Sequence, residues 1–132
     1  MLKDVAALLV PGIADGCLVD VFSDQREAPP RRVALAGVRP GLDAVPTGLP
    51  TLEFVTDAAL GLLAGNELEH AALRALGLRS LLVVALRPPG RTLGWLTLIH
   101  DDTSGRRFDA GDAQFADDLG RRIGAALAQP VA

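Results

Sequence analysis

The apolar residues of this chain change their spacing several times, and each change marks an element. Leu2, Val5, Ala6, Leu8 and Leu9 recur at helical spacing over Leu2–Val10, and Pro11-Gly12 ends that short amphipathic helix. Gly16–Phe22 alternates instead: Cys17, Val19 and Val21 share one face, and Leu18, Asp20 and Phe22 the other, which predicts a strand. Asp20 interrupts a half-apolar face, so it is expected to sit at an exposed edge or to bond the backbone. Ser23–Pro30 is a polar, proline-ended turn, and Arg31–Val38 a second strand. The connection is too short for a crossover, so the two strands form an antiparallel hairpin.

Arg39–Pro50 contains Pro40, Gly41, Pro46, Gly48 and Pro50 and is a loop; Thr51–Val55 follows as a brief edge strand. Helical spacing returns after Thr56-Asp57, with Leu60, Leu62 and Leu63 running to Gly65. Asn66 caps a further helix carrying Leu68, Ala71, Ala72, Leu73 and Leu76 up to Gly77.

Ser80–Arg87 is continuously apolar, the pattern of a central strand covered on both faces. The turn Pro88-Pro89-Gly90-Arg91 leads to a second such strand, Thr92–His100. The last helix, Ala110–Ala128, has Asp109 as its cap and Asp112 in its first turn, where the helix dipole favours negative charge. Phe115, Leu119, Ile123 and Leu127 form an apolar stripe on it, while Asp117 and Asp118 face Arg121 and Arg122 one turn on. A second stripe, Ala116, Gly120, Gly124 and Ala128, is made of small residues only. Two interior glycines cost about 1 kcal/mol each relative to alanine, so a close approach by another element is expected there. Helices before, between and after pairs of buried strands give a three-layer α+β domain around an antiparallel sheet.

Composition narrows the function more than the fold. The 132 residues suit one domain spanning 1–132, with 49% hydrophobic and 22% charged residues. A net charge of −3 argues against nucleic acid as a partner. Cys17 stands alone, so an internal disulfide and a cysteine metal cluster are both excluded, as in a reduced cytoplasmic protein. The N-terminus lacks the pattern of a secretory signal, and the apolar runs fall short of the ~20 residues needed to span a bilayer. A cytoplasmic protein with no membrane contact is expected.

Several short stretches, in this order, carry a resemblance. They are Val10-Pro11-Gly12-Ile13-Ala14-Asp15-Gly16-Cys17, Thr47-Gly48-Leu49-Pro50, Leu76-Gly77-Leu78-Arg79-Ser80, Gly90-Arg91-Thr92-Leu93-Gly94 and Phe108-Asp109-Ala110-Gly111-Asp112. Together they make the chain resemble a GAF domain over essentially its whole length. The variety it resembles occurs in bacterial regulators with PAS domains, histidine kinases or metal-dependent serine phosphatases. The resemblance implies a GAF/PAS-like antiparallel sheet of five or six strands, with the first and last helices together on one face. The middle helices and loops, here Arg39–Leu76, cover the other face, where such domains usually hold a ligand. A kinase, phosphatase or similar effector in the same or a partner protein is implied as well.

The special chemistries of such domains fit poorly. Haem-binding relatives place their axial histidine close before the strand equivalent to Ser80–Arg87, near Ala75 here, whereas the histidines are His70 and His100. Cyclic-nucleotide binders carry Asn-Lys where this chain has His100-Asp101, although Phe108 and Asp112 match. Bilin attachment needs a cysteine in the cover, and methionine-sulfoxide reduction needs several, whereas Cys17 lies in the first strand. No Ser–His–Asp set or phosphate-cradling glycine loop occurs at useful spacing, and Asp101-Asp102 resembles a solvated loop. The expectation is a non-enzymatic sensory or regulatory domain without a cofactor.

Two sites follow from it. A small-molecule pocket between sheet and cover would be lined by Phe54, Val55, Leu60, Leu63, Leu73, Leu82 and Val84. A homodimer interface through the terminal helices would use Leu2, Val5, Leu9, Ala116, Gly120 and Gly124. A pocket filled by leucine side chains would favour a ligand-free relay over a sensor. A haem or redox sensor, resting on Cys17, His70 or His100, is the remaining alternative.

Overall fold

A computed structural model describes residues 2–23 and 28–128. Helix α1 (Leu2–Leu9) precedes strands β1 (Gly16–Val21) and β2 (Arg31–Ala36). A 3-10 turn at Leu42–Ala44 and helices α2 (Asp57–Leu63) and α3 (Glu67–Ala75) follow, then strands β3 (Leu78–Leu86) and β4 (Gly94–Asp101) and helix α4 (Ala110–Ala128). The polar turn expected over Ser23–Pro30 lies in part outside the described residues.

The three-layer α+β architecture is present, but among the described residues the antiparallel sheet has four strands, in the order β2-β1-β4-β3, rather than five or six. The missing strand is Thr51–Val55, which shrinks to a single bridge between Leu52 and Leu81. Pro50 has no N–H to donate, and the Thr51 hydroxyl replaces a backbone rung. Its Oγ1 accepts from Val83 N at 2.9 Å and donates to Val83 O at 3.1 Å.

Strand alternation divides the core in two. Cys17 and Val19, Leu96 and Leu98, and Leu82 and Leu86 face α1 and α4, where they pack with Ala6, Leu9, Ala116 and Ile123. Leu18, Ile99 and Leu81 face the cover, Arg39–Leu76, and meet Leu42, Val45, Leu49, Leu60, Leu73 and Leu76. Helix α1 lies over β1 and β2, and α4 over β3.

The caps follow from the sequence. Thr56 Oγ1 accepts from Ala59 N (3.1 Å) at the start of α2, and Asn66 Oδ1 from Glu69 N (2.8 Å) at the start of α3. At α4, Asp109 Oδ1 accepts from Asp112 N and Asp112 Oδ2 from Asp109 N, both at 2.9 Å, a reciprocal capping box. Ahead of it, the buried Ser80 Oγ accepts from Phe108 N at 3.0 Å and so ties the entry of α4 to β3.

The small-residue stripe is consumed inside the chain. A Cβ at Gly120 would overlap the Ala85 carbonyl, and one at Gly124 would lie 2.6 Å from Arg87 N. Helix α4 thus rests on the backbone of β3. Leu2, Val5 and Leu9 of α1 also pack into the core beneath the terminal helices. The residues expected to meet a second copy therefore face the chain's own sheet, because both helices need those faces to cover it.

Asp20 departs from expectation too. It is fully buried and gripped by Arg32, whose Nε and Nη2 donate to its two carboxylate oxygens at 2.8 and 3.1 Å. A β-bulge between Val19 and Asp20 sets Arg32 opposite Asp20 in β2. Sequence spacing alone did not show that the neighbouring strand carries the partner charge.

Candidate functional site

The space between sheet and cover was the expected ligand site. Val55, Leu60, Leu63 and Leu73 do belong to this layer, but Leu60 and Leu73 are buried in one apolar cluster with Leu18, Leu81 and Ile99, and Val55 and Leu63 pack half-buried against it. Leu42 closes the layer by laying its Cδ1 over the bare Cα atoms of Gly16 and Gly37. Leu82 and Val84 lie on the other face: Leu82 packs in the core under the terminal helices, and Val84 Cγ2 would be 3.3 Å from a Cβ at Gly120. The one-residue offset matters because neighbours in a strand point to opposite faces; Leu81 and Val83 occupy the cover side. Phe54 is 57% exposed, with the Arg107 guanidinium 4.8 Å from its ring centre.

A concavity does exist, on the outer side of the cover. An open groove of about 560 Å³ runs between the loop bearing Pro40, Gly41, Ala44 and Pro46 and the Leu68, Ala72, Ala75 and Leu76 side of α3. None of its lining residues comes from the sheet.

The candidate reactive groups have other employment. Cys17 is buried, and burial pushes its thiol up to about 12, so almost no thiolate exists at neutral pH. His70 Nε2 lies 3.0 Å from Asp57 Oδ1, and Arg74 Nε donates to the same oxygen at 2.8 Å, a surface cluster joining α2 to α3. Among the described residues no group of three or more His, Cys, Asp or Glu side chains is placed to hold a metal ion.

His100 belongs to a polar knot at the end of β4 that the sequence reading missed. Asp15 Oδ2 accepts from Asp101 N at 2.9 Å and from Ser104 Oγ at 2.6 Å. Arg106 donates to the carbonyls of Gly12 and Pro11, both at 2.9 Å. Asp101 is 2% exposed and pairs with Arg39 at 3.4 Å, so it is an interior residue and not part of a solvated loop. The His100 ring stacks on Phe108 with centroids 4.0 Å apart, and its buried Nδ1 lies 3.7 Å from Asp15 Oδ2 with no hydrogen-bond partner among the described residues. Burial would raise the Asp15 carboxyl, but the bonds from Ser104 and Asp101, with the charges of His100 and Arg106, hold it below the usual range.

Burial and the nearby Arg106 push the imidazole of His100 below its ordinary 6.5, and outweigh the attraction of Asp15 and Asp112. The folded chain therefore keeps His100 neutral at a pH where the unfolded chain has already taken up the proton. This contribution to stability is complete above about pH 6.5 and declines as the pH falls below it. Urea unfolding of the wild type should give a midpoint that falls as the pH drops below about 6.5. His100→Gln should flatten that slope, and an equally steep slope in the variant would show that another group titrates.

The family follows from comparison over this geometry. The GAF domain family model matches residues 14–127. The chain belongs to the GAF domain family. Solved GAF structures superpose along nearly its whole length. The second GAF domain of DevS from Mycobacterium smegmatis is 21% identical, with a TM-score of 0.61, covering 94% of this chain and 88% of that one. GAF3 of Slr1393 from Synechocystis sp. PCC6803, in its photoproduct state, is 14% identical with a TM-score of 0.62, covering 95% and 87%. The blue-light-absorbing form of the PixJ GAF domain from Thermosynechococcus elongatus is 17% identical with a TM-score of 0.61, covering 95% and 83%. At these identities the likeness is one of fold. No curated protein matches the chain.

GAF domains serve in sensor proteins, where they bind small molecules or relay signals, and this chain shares their fold. No helix among its described residues is long and apolar enough to cross a membrane.

Proposed function

We propose that this GAF domain is a non-enzymatic relay in a signal-transduction protein, working on an effector such as a kinase or phosphatase without enclosing a ligand under its cover. The observation behind this reading is the layer of Leu18, Leu42, Leu73, Leu81 and Ile99 side chains that occupies the place where a ligand would lie. A ligand there would have to displace packed leucines, at a cost of roughly 1–3 kcal/mol for overfilling alone. Relay in this form requires a second arrangement of the cover that loads β3 differently, and a partner that biases one of the two.

A second reading rests on the outer groove of about 560 Å³, which is apolar enough to take a small uncharged molecule. One metabolite screen separates the readings, using thermal stabilisation and methyl NMR of the leucines and alanines. The relay predicts no stabilising compound and no co-purified molecule in native mass spectrometry. A compound that moves only Ala44, Ala72 and Ala75 would establish the groove. Shifts at Leu73 and Leu81 from a bound molecule would sink the relay reading.

A further inference from the structure

The net charge of −3 conceals a patch of opposite sign. At the end of the sheet remote from the polar knot, the β3–β4 turn and the second half of α4 flank an open groove of about 730 Å³. Arg87, Arg91, Arg121 and Arg122 line it, together with a single carboxylate, Asp118. Arg87 and Arg121 share Asp117, at 2.9 and 3.2 Å, and Arg122 reaches Asp118 at 2.9 Å. Arg91 has no ion pair among the described residues. Four guanidinium groups thus meet two carboxylates, which leaves an excess of two positive charges.

The walls are held firmly. Gly124 brings the α4 backbone against Arg87, Arg87 N donates to Gly120 O at 3.4 Å, and two prolines restrict the turn. The guanidinium groups remain in solvent: the Arg87, Arg121 and Arg122 side chains are 47%, 55% and 78% exposed. Each has five donors, and the pairs above use one or two of them.

We propose that this groove docks an acidic protein segment, whose Asp and Glu side chains take the unused guanidinium donors. Asp117 and Asp118 already show how carboxylates sit against these arginines, and a partner's carboxylates would extend the same pairing. Phosphate ligands fit less well, because Pro88 and Pro89 offer no N–H for an anion nest. No aromatic side chain lines the groove, so it lacks the stacking surface of a single-strand nucleic-acid site. The proposal rests on the charges of this groove and not on the filled layer under the cover, so it can fail or hold separately from the relay reading.

The test is a titration of ¹⁵N-labelled protein with a glutamate homopeptide. A lysine homopeptide, inorganic phosphate and a single-stranded oligonucleotide serve as the other probes. The glutamate peptide should shift resonances at Arg87–Thr92 and Asp118–Ala125, and its binding should weaken several-fold on going from low salt to ~0.15 M. Arg91→Glu with Arg122→Glu should weaken binding about tenfold or more. Arg91→Glu alone, at a side chain with no ion pair, should give at least a threefold loss with an unchanged circular dichroism melt, which secures the test if the double variant is unstable. Absence of localised shifts, unchanged affinity in Arg91→Glu, or tighter binding of phosphate or the oligonucleotide in the groove would overturn the proposal.

Discussion

Arg32→Met should lower the free energy of unfolding by about 3–5 kcal/mol. It should cost more than Asp20→Ala, even though Arg32 is the more exposed partner, at 16% of its side chain against none for Asp20. The asymmetry comes from what each change leaves behind. Without Arg32, a carboxylate stays in a fully buried position opposite Trp95 of β4 with its charge uncompensated. Without Asp20, the guanidinium keeps its bonds from Nη1 to Asp43 O (3.0 Å) and Leu42 O (3.4 Å) and gains water at its exposed edge. That loss should be roughly 1–3 kcal/mol. The double variant Asp20→Leu/Arg32→Met should recover much of the difference, since an apolar pair needs no compensation. Urea unfolding of the four proteins checks this, and a larger loss for Asp20→Ala than for Arg32→Met would contradict the burial argument. Because Arg32 also holds the 3-10 turn, its loss should loosen the cover, visible as faster amide exchange near Leu42.

Gly124→Ala should be destabilising, against the usual rule. In a free helix interior the change gains about 1 kcal/mol. Here the new methyl would lie 2.6 Å from Arg87 N and 2.9 Å from both Arg87 C and Pro88 N. Those are backbone atoms and cannot swing aside, so α4 must lift from β3 or the turn must move. A net loss of about 2 kcal/mol is expected, or a fall in Tm of roughly 6–10 °C. Gly120→Ala should act in the same direction through the Ala85 carbonyl. A bulkier residue at Gly120 would unseat α4 within one chain, so it reports on folding rather than on a partner. A gain in stability from Gly124→Ala would mean that helix and strand are not this close.

Much of this was legible in the sequence because local pattern and burial agree. The capping of α4 by Asp109 and Asp112, the caps at Thr56 and Asn66, and the alternation of Cys17 and Val19 against Leu18 each rest on residues near in sequence. The sequence also pointed to a close approach at Gly120 and Gly124, though not to the surface that makes it. What escaped depends on distant partners. A continuously apolar strand such as β3 gives no sign of which alternate residues face the cover, so Leu82 and Val84 were expected where Leu81 and Val83 lie. Asp20 and Arg32 are separated by a turn, Asp15 and His100 by most of the chain, and Arg39 and Asp101 by about half of it; only the tertiary fold brings them together.

The glycine contact between α4 and β3 bears on how motion travels. Most helix–sheet contacts are cushioned by side chains that can change rotamer and absorb a small displacement. Here backbone touches backbone, so this joint has little compliance. The same strand carries Leu81 under the cover and Leu82 under the terminal helices. In the proposed relay, a shift of the cover that pushed on Leu81 would reach α4 through one strand and a stiff joint, in the manner of a rod rather than a spring.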